Sequence, residues 1–570
     1  MSHSPLFDRL RDLVRLSRVA ERHGCSVDDA RGEAEAARAG LSRRQLLGGG
    51  LGVAATVAVG AVPFSAKAGP VRGQPRIAII GAGLAGLVCA DQLARRGLRA
   101  RIYEASPLRL GGRVFTDHHT FPGQVSECGG EMIDTLHTTM RQYAQEFGLA
   151  REDYERTPGS ARYHFFGALH DEAEVVEQWR VLVPRLRADF QTLSAGGPTF
   201  FSHTAADEAL DRTDLATYLY SRATDLPLIR EVLYQAYIAE YGLEPHEQSC
   251  LNFLQFIHLD RRSQFAEFGV FSDERFHLVG GNDGLVQALA ARVTEAGTVI
   301  TQGARLTRLA RNASGEFLLT ISGMAAPEVA DVVVVAIPFS VLRNGILDAS
   351  LGLSADKTRA IQELGYGNNA KTAVRFNRRV WAEQGADGLA YSDLANVQNT
   401  WETNWLAPNR GNAGILTDYA GGDRGLAIQL ASPVAPHGAP CGACHSPFPP
   451  TLGASGQTIV NSQAEAFVSD LDNIFPGIAA AASRGADGRL IARRSHWTPQ
   501  NFSKGSYTAY LPGQFTTIAG LEGTAAGLLK FAGEHTDSFY EWQGFMEGAC
   551  NSGIRAANEV IDDIRNGRVV

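Results

Sequence analysis

From Arg76 the chain alternates short apolar runs with stretches of helical period. Ile77-Ala78-Ile79-Ile80 is continuous and apolar, long enough for a buried strand and too short for a helix. Leu84 to Arg96 then sets Leu87, Val88, Ala90, Leu93 and Ala94 at helical spacing, Gly97 supplies a stop, and Arg101-Ile102-Tyr103 makes a second short strand ending on Glu104. Val299-Ile300, Arg305 to Leu309 and Asp331 to Pro338 predict further strands, the last buried on both faces, and Val279 to Leu285 opens a helix through Arg292. Residues 136–270 read as mainly helical. Val175, Val176, Trp179, Val181, Leu182, Leu186 and Phe190 form one stripe, and Thr213-Asp214 caps the run Leu215 to Leu219. Residues 390–455 show no clear period and read as irregular, with an insertion from Ser432 to Ser455. Helical spacing resumes at Ala464, Phe467, Val468, Leu471 and Ile474, and a last helix runs to Arg565. At 570 residues this exceeds one core, so two or more domains are expected, interleaved in sequence.

Between the first strand and its helix stands Gly81-Ala82-Gly83-Leu84-Ala85-Gly86, a G-x-G-x-x-G pattern. Gly81 permits the tight turn, Gly83 lets backbone approach a pyrophosphate, and Gly86 lets helix and strand pack closely. The helix N-terminus then faces the phosphates. Glu104 falls where a carboxylate would accept from ribose hydroxyls, and an acid there disfavours a 2′-phosphate. Strand, turn, helix, strand and acid in register predict dinucleotide binding. Further on, Gly111-Gly112 delivers Arg113, whose planar fork suits pyrophosphate. Glu127-Cys128-Gly129-Gly130-Glu131-Met132-Ile133 couples an acid to two glycines that would let backbone approach a flat ring.

Composition changes this picture in three places. The net charge is −8, and no basic stripe interleaved with aromatics occurs, so nucleic acid is not an expected partner, whereas a cationic substrate suits the field. Residues 1–68 read as an address: Leu41-Ser42-Arg43-Arg44-Gln45-Leu46-Leu47 precedes a weakly apolar run, Leu46 to Val62, and Ala66-Lys67-Ala68 offers a cleavage site. The pattern resembles a twin-arginine export signal, and the alternative, a membrane anchor, is weakened by the short Gly/Ala-rich run. Export implies a periplasmic or secreted protein delivered already folded. Third, Cys441-Gly442-Ala443-Cys444-His445 satisfies the C-x-x-C-H pattern of haem attachment. With few residues around it and His437 alone as a nearby second ligand, a disulfide or a surface thiol pair is the preferred reading, and no haem is expected.

Taken together, the glycine cradle, Glu104, Gly111-Gly112-Arg113 and Glu127-x-Gly129-Gly130 resemble the flavin amine oxidase family, which includes monoamine, polyamine and L-amino-acid oxidases. The resemblance covers about residues 75–565 and is densest at the two ends. It implies an α/β fold with a Rossmann-like FAD-binding domain assembled from separated segments, 75–135, 276–345 and 525–570. An α+β substrate domain, 136–275 and 346–524, is inserted between them. The motifs carry over as cofactor contacts: Gly81, Gly83, Ala85, Gly86, Glu104, Ala105 and Arg113 at the cradle, and Gly129, Gly130, Glu131 and Met132 at the ring. Leu306 falls on the adenine side, Gly533 and Glu534 at the ribityl-phosphate end, and Gly544, Phe545 and Met546 close the flavin site. Ser506 stands where relatives with covalent FAD carry cysteine, so FAD is expected to be non-covalent.

The same resemblance assigns chemistry. Lys371 resembles the family's active-site lysine, which holds a water near flavin N5, and with only five lysines in the chain its occurrence there points to function. Lysine suits the place because a desolvated amine can be neutral near physiological pH. Tyr507 and Phe545 match the two aromatic walls, the second without a hydroxyl. Lys371, Tyr507 and Phe545 form the expected catalytic set. Tyr507, Phe545 and Asp134 form the substrate set, the acid suiting a second ammonium group; no metal is expected. The implied reaction is hydride transfer from the carbon bearing nitrogen to flavin N5, giving an imine that hydrolyses to an aldehyde or ketone plus ammonia or amine, with dioxygen reoxidising the flavin to yield hydrogen peroxide. An L-amino-acid oxidase is the alternative, against which Met132 stands where such relatives carry arginine. A flavin amine dehydrogenase with a protein electron acceptor is another. Expected partners are a small amine or amino acid, dioxygen and the twin-arginine machinery; a homodimer stays open.

Overall fold

The computed structural model describes residues 74–154, 158–256, 274–343, 345–403, 406–407, 411–428, 454–537 and 542–569. The proposed export signal and the C-x-x-C-H segment lie outside the described residues.

Strand Ile77–Ile80 is buried at every position and forms the centre of a five-stranded parallel sheet. On one side it pairs with Val332–Val335, Ile77 opposite Val332, and beyond that lies Leu529–Phe531. On the other side it pairs with Ala100–Glu104, Ile77 opposite Ala100, and then Val299–Gln302. Strands from three distant parts of the chain therefore complete one sheet. Continuous apolar runs are needed because these strands are buried on both faces. Helix Leu84–Ala94 buries nearly its whole surface, and helix Met546–Arg565 packs against it through Cys550, Ala556 and Ala557, small residues that allow close approach.

A second, seven-stranded sheet runs in the order Ala492–His496, Ala370–Phe376, Gly414–Ala420, Asn399–Thr403, Ala386–Ser392, Ser160–Phe165, Ala168–His170. All its pairs are antiparallel except Ala386–Ser392 with Ser160–Phe165. Two of these strands correct the irregular reading of residues 390–455. Short segments with Thr, Trp and Tyr form strands once Gly414–Ala420 pairs with Ala370–Phe376 and Asn399–Thr403 with Gly414–Ala420, because cross-strand packing outweighs weak local pattern. The back of this sheet rests on helix Ala454–Leu471 through Phe467, Val468 and Leu471.

The helical expectation for residues 136–270 is met by Glu172–Phe190, Leu215–Arg222 and Pro227–Tyr241 among others. Asp214 caps the second of these by accepting from the Thr217 N–H. The same stretch also supplies strands Arg151–Asp153, Ser160–Phe165 and Ala168–His170. Val181 departs from its stripe and is exposed.

Candidate active site

The turn after the first strand is as tight as a dinucleotide cradle requires. Gly81 has φ +102°, and a Cβ there would lie 2.8 Å from the Ala336 carbonyl; at Gly86 it would lie 2.0 Å from the Gly81 carbonyl. Side chains are thus excluded where backbone must pass close. Glu104 ends the second strand with Oε2 accepting from the Ala82 N–H at 2.8 Å and Oε1 from the Ser106 N–H at 2.7 Å. Burial pushes its carboxyl up, against these backbone donors, which pull it down.

The cradle opens on a cavity of about 610 Å³. Gly81, Gly83, Ala85, Glu104, Ala105, Arg113, Leu306, Gly533 and Glu534 all line it, as do Gly129, Gly130, Glu131, Met132, Gly544, Phe545 and Met546. Gly86 does not; it serves helix-strand packing instead. Arg113 Nη1 donates to Glu534 Oε1 and to the Ser506 carbonyl, both at 2.8 Å, joining the beginning and end of the chain. Arg109, passed over in the sequence, also lines the cavity. Its guanidinium sits over Phe115 and Trp497, and burial lowers it to about 10.

Lys371 reaches the same cavity from the seven-stranded sheet. Its register partners are Tyr419 on one side and Ser495 on the other, so the three share a face. Its Nζ donates to the Gly129 carbonyl at 2.9 Å and to Glu131 Oε2 at 2.6 Å. A buried carboxylate therefore faces this amine. Trp401 Nε1 and Thr403 Oγ1 donate to the other oxygen of Glu131 at 3.0 and 3.1 Å. Burial opposes charge on Glu131, but Lys371 and His277 outweigh it and hold the carboxyl below its ordinary range.

Behind this pair lies a buried triad. His277 contacts Glu127 at 2.9 Å and Glu152 at 2.8 Å, and Glu127 also accepts from the Asn282 N–H at 2.7 Å. Burial alone would lower His277; the two carboxylates raise it to about 10. Nothing in the local sequence pairs these three residues, which are far apart in the chain.

The aromatic residues fall as follows. Tyr507, Phe545, Trp401 and Tyr419 line the cavity, with Trp401 and Tyr419 in edge contact at 5.6 Å and Lys371 Nζ 5.4 Å from the Trp401 ring. The Tyr507 hydroxyl meets that of Tyr419 at 3.2 Å and donates to the Glu240 carbonyl. Trp401 and Tyr419 were missed because their strands were read as irregular; alternation of aromatic and β-branched residues between glycines was the available signal. Asp134 is corrected: it does not line the cavity. It is fully buried, accepts from the Glu274 N–H at 2.8 Å, and donates its own N–H to His137 Nδ1 at 2.9 Å. Its place two residues after a cavity-lining methionine could not reveal that the chain turns inward there.

These residues suit a flavin dinucleotide. Glycines whose Cβ positions are filled by protein, a carboxylate at the strand end and arginines beside it match the adenine and pyrophosphate portion. Gly130, where a Cβ would meet Met546 at 2.9 Å, and the aromatic residues match a flat ring.

The chain is similar to a pseudooxynicotine dehydrogenase of Pseudomonas sp, 23% identical over 91% of this chain and 96% of the relative. It is similar to an L-amino-acid oxidase of Echis ocellatus, 22% identical over 85% of this chain and 88% of the relative. Its fold matches that of cyclohexylamine oxidase from Brevibacterium oxydans IH-35A, with TM-score 0.69 and 19% identity over 86% of this chain and 100% of the other. The model of the flavin-containing amine oxidoreductases matches residues 84–434 and 461–561. The chain therefore belongs to the flavin-containing amine oxidoreductase family, as an oxidoreductase acting on amines with FAD as its cofactor.

Proposed function

We propose that this chain is an exported, FAD-dependent oxidase of a small amine. The observation that carries this reading is the Lys371–Glu131 pair set between the Gly129-Gly130 backbone and an aromatic group that includes Tyr507 and Phe545. When bound, FAD supplies the two-electron acceptor for the carbon bearing nitrogen. Lys371 holds and orients a water molecule, with Glu131 and the Gly129 carbonyl fixing the position of its amine at the cavity wall. Tyr507 and Phe545 confine a neutral amine between their rings and exclude bulk water. Gly81, Gly83, Glu104 and Arg113 hold the dinucleotide, and Ser506, a hydroxyl with Asn369 Oδ1 as its acceptor at 2.7 Å, leaves it without a covalent bond.

Anaerobic mixing with a panel of amines and amino acids tests this: amines should bleach the flavin bands, and air should restore them with stoichiometric hydrogen peroxide. A flavin indifferent to every amine would refute the reading. Acid denaturation should leave the yellow colour in the supernatant; colour in the pellet would show covalent attachment. An amine dehydrogenase with a protein acceptor is the second reading, supported by the similarity to the pseudooxynicotine dehydrogenase. It would be recognised by reduced flavin that persists in air. The L-amino-acid reading has the Echis relative in its favour. Against it, Lys371 is already matched by Glu131, and Met132 stands where an arginine would receive the carboxylate.

Export is a proposal from the sequence. Replacing Arg43 and Arg44 together with lysine should leave the precursor in the cytoplasm; unchanged recovery outside it would remove this part alone.

A further inference from the structure

Resting on the amine-oxidase reading, we propose that Glu240 selects a substrate carrying a second cationic nitrogen, which it binds beside the tyrosine hydroxyls while the first nitrogen reacts near Lys371.

Glu240 is the penultimate residue of helix Pro227–Tyr241, which ends at Gly242 in the left-handed conformation. It lines the cavity together with Tyr507 and Tyr419. Its carboxyl has no hydrogen bond or ion pair with any described residue, unlike the other acids of this site. Glu131 has Lys371, Glu104 has two backbone N–H groups, and Glu534 has Arg113. Burial pushes the Glu240 carboxyl up to about 7. A half-buried acid that no described residue pairs is costly to ionise, and a cation delivered by a ligand removes that cost.

The surroundings favour the same ligand. The helix ends here, so its last carbonyls and the negative end of its dipole are directed to this corner. The carbonyls of Ala239 and Glu240 already accept from Asn369 and Tyr507. Tyr419 and Tyr507 add π faces, which attract an ammonium group. Glu274 lines the cavity as well and adds to the negative potential at Tyr419. Of the basic residues lining the cavity, Arg109, Arg113 and Arg305 belong to the cradle side, Lys371 is engaged by Glu131, and Lys504 lies three residues before Tyr507. The acid expected at Asp134 for a second ammonium is thus supplied from a different element.

The test compares α,ω-diaminoalkanes with 1-aminoalkanes of equal length on the FAD-loaded enzyme. Wild type should show a KM at least tenfold lower for the diamine, and Glu240→Gln should collapse that ratio towards one, a change of about tenfold to a hundredfold. As a readout independent of turnover, tetramethylammonium should compete with substrate tenfold more weakly in E240Q, while an uncharged alcohol of the same size competes equally in both proteins. A diamine-to-monoamine ratio unchanged by the substitution, or a wild type preferring α-amino acids, overturns the assignment. If monoamines bleach the flavin and diamines gain nothing, only the role of Glu240 fails. If no amine bleaches it, the amine-oxidase reading fails with it.

Discussion

At the cradle, Glu104 takes hydrogen bonds from two backbone N–H groups supplied by its own strand-turn unit. At the tyrosine end of the same cavity, Glu131 depends on a lysine 240 residues away in sequence, and the Glu240 carboxyl has no partner among the described residues. The cradle end is built from backbone and glycine, so its geometry is local and tolerates little change. The tyrosine end is built from side chains of several strands and a helix end, so its electrostatics can be retuned by single substitutions. On the proposed reading, cofactor binding and substrate choice are thereby separated in one cavity, and four experiments can break or sharpen that division.

The largest effect is expected at the cradle. Gly86→Val sets a Cβ 2.0 Å from the Gly81 carbonyl, so the turn must shift, and should yield protein without FAD, measured as flavin absorbance per chain. Wild-type stoichiometry would show that the cradle is not what holds the dinucleotide. Next, Lys371→Met should slow flavin reduction or reoxidation by about two to four orders of magnitude while FAD stays bound. It also leaves Glu131 buried without its cation, at a cost of about 3 kcal/mol; adding Glu131→Gln should recover stability but not rate. Stopped-flow traces equal to wild type in both half-reactions would make Lys371 structural.

A smaller effect concerns pH and stability, read by urea unfolding at a series of pH values. Glu131 is held below its ordinary 4.5, so its contribution is present above that pH and is lost as pH falls through the lower folded value. His277 is raised to about 10, so its contribution is complete below 6.5 and is lost as pH rises towards 10. Lys371→Met should erase the acid-side loss, and His277→Gln the alkaline one; a variant whose profile superimposes on wild type would disprove that pairing. Smallest of all, Tyr507→Phe keeps the wall and removes the hydroxyl that ties it to Glu240 and Tyr419. It should cost about 1 kcal/mol, seen as roughly a fivefold rise in KM with FAD content unchanged. A larger loss, with FAD released, would mean that this end also holds the cofactor.

The sequence by itself determined the strand-turn-helix-strand unit, the glycine contacts, Glu104 and the central parallel strands, because each depends on a continuous segment or on a residue type that backbone geometry demands. The family resemblance pointed to Lys371, Tyr507 and Phe545, which line the cavity. Only the tertiary structure decided which charges meet. Lys371 faces Glu131 because Ala370–Phe376 lies beside the Gly129-Gly130 turn, and His277 joins Glu127 to Glu152 because three distant segments converge. Asp134 turned inward and Glu240 outward for the same reason: an acid next to an apolar run carries no local mark of whether it will face protein or cavity. Strand pairing is likewise non-local, so Asn399–Thr403 and Gly414–Ala420, with Trp401 and Tyr419, became strands only through the neighbours that satisfy their backbone hydrogen bonds.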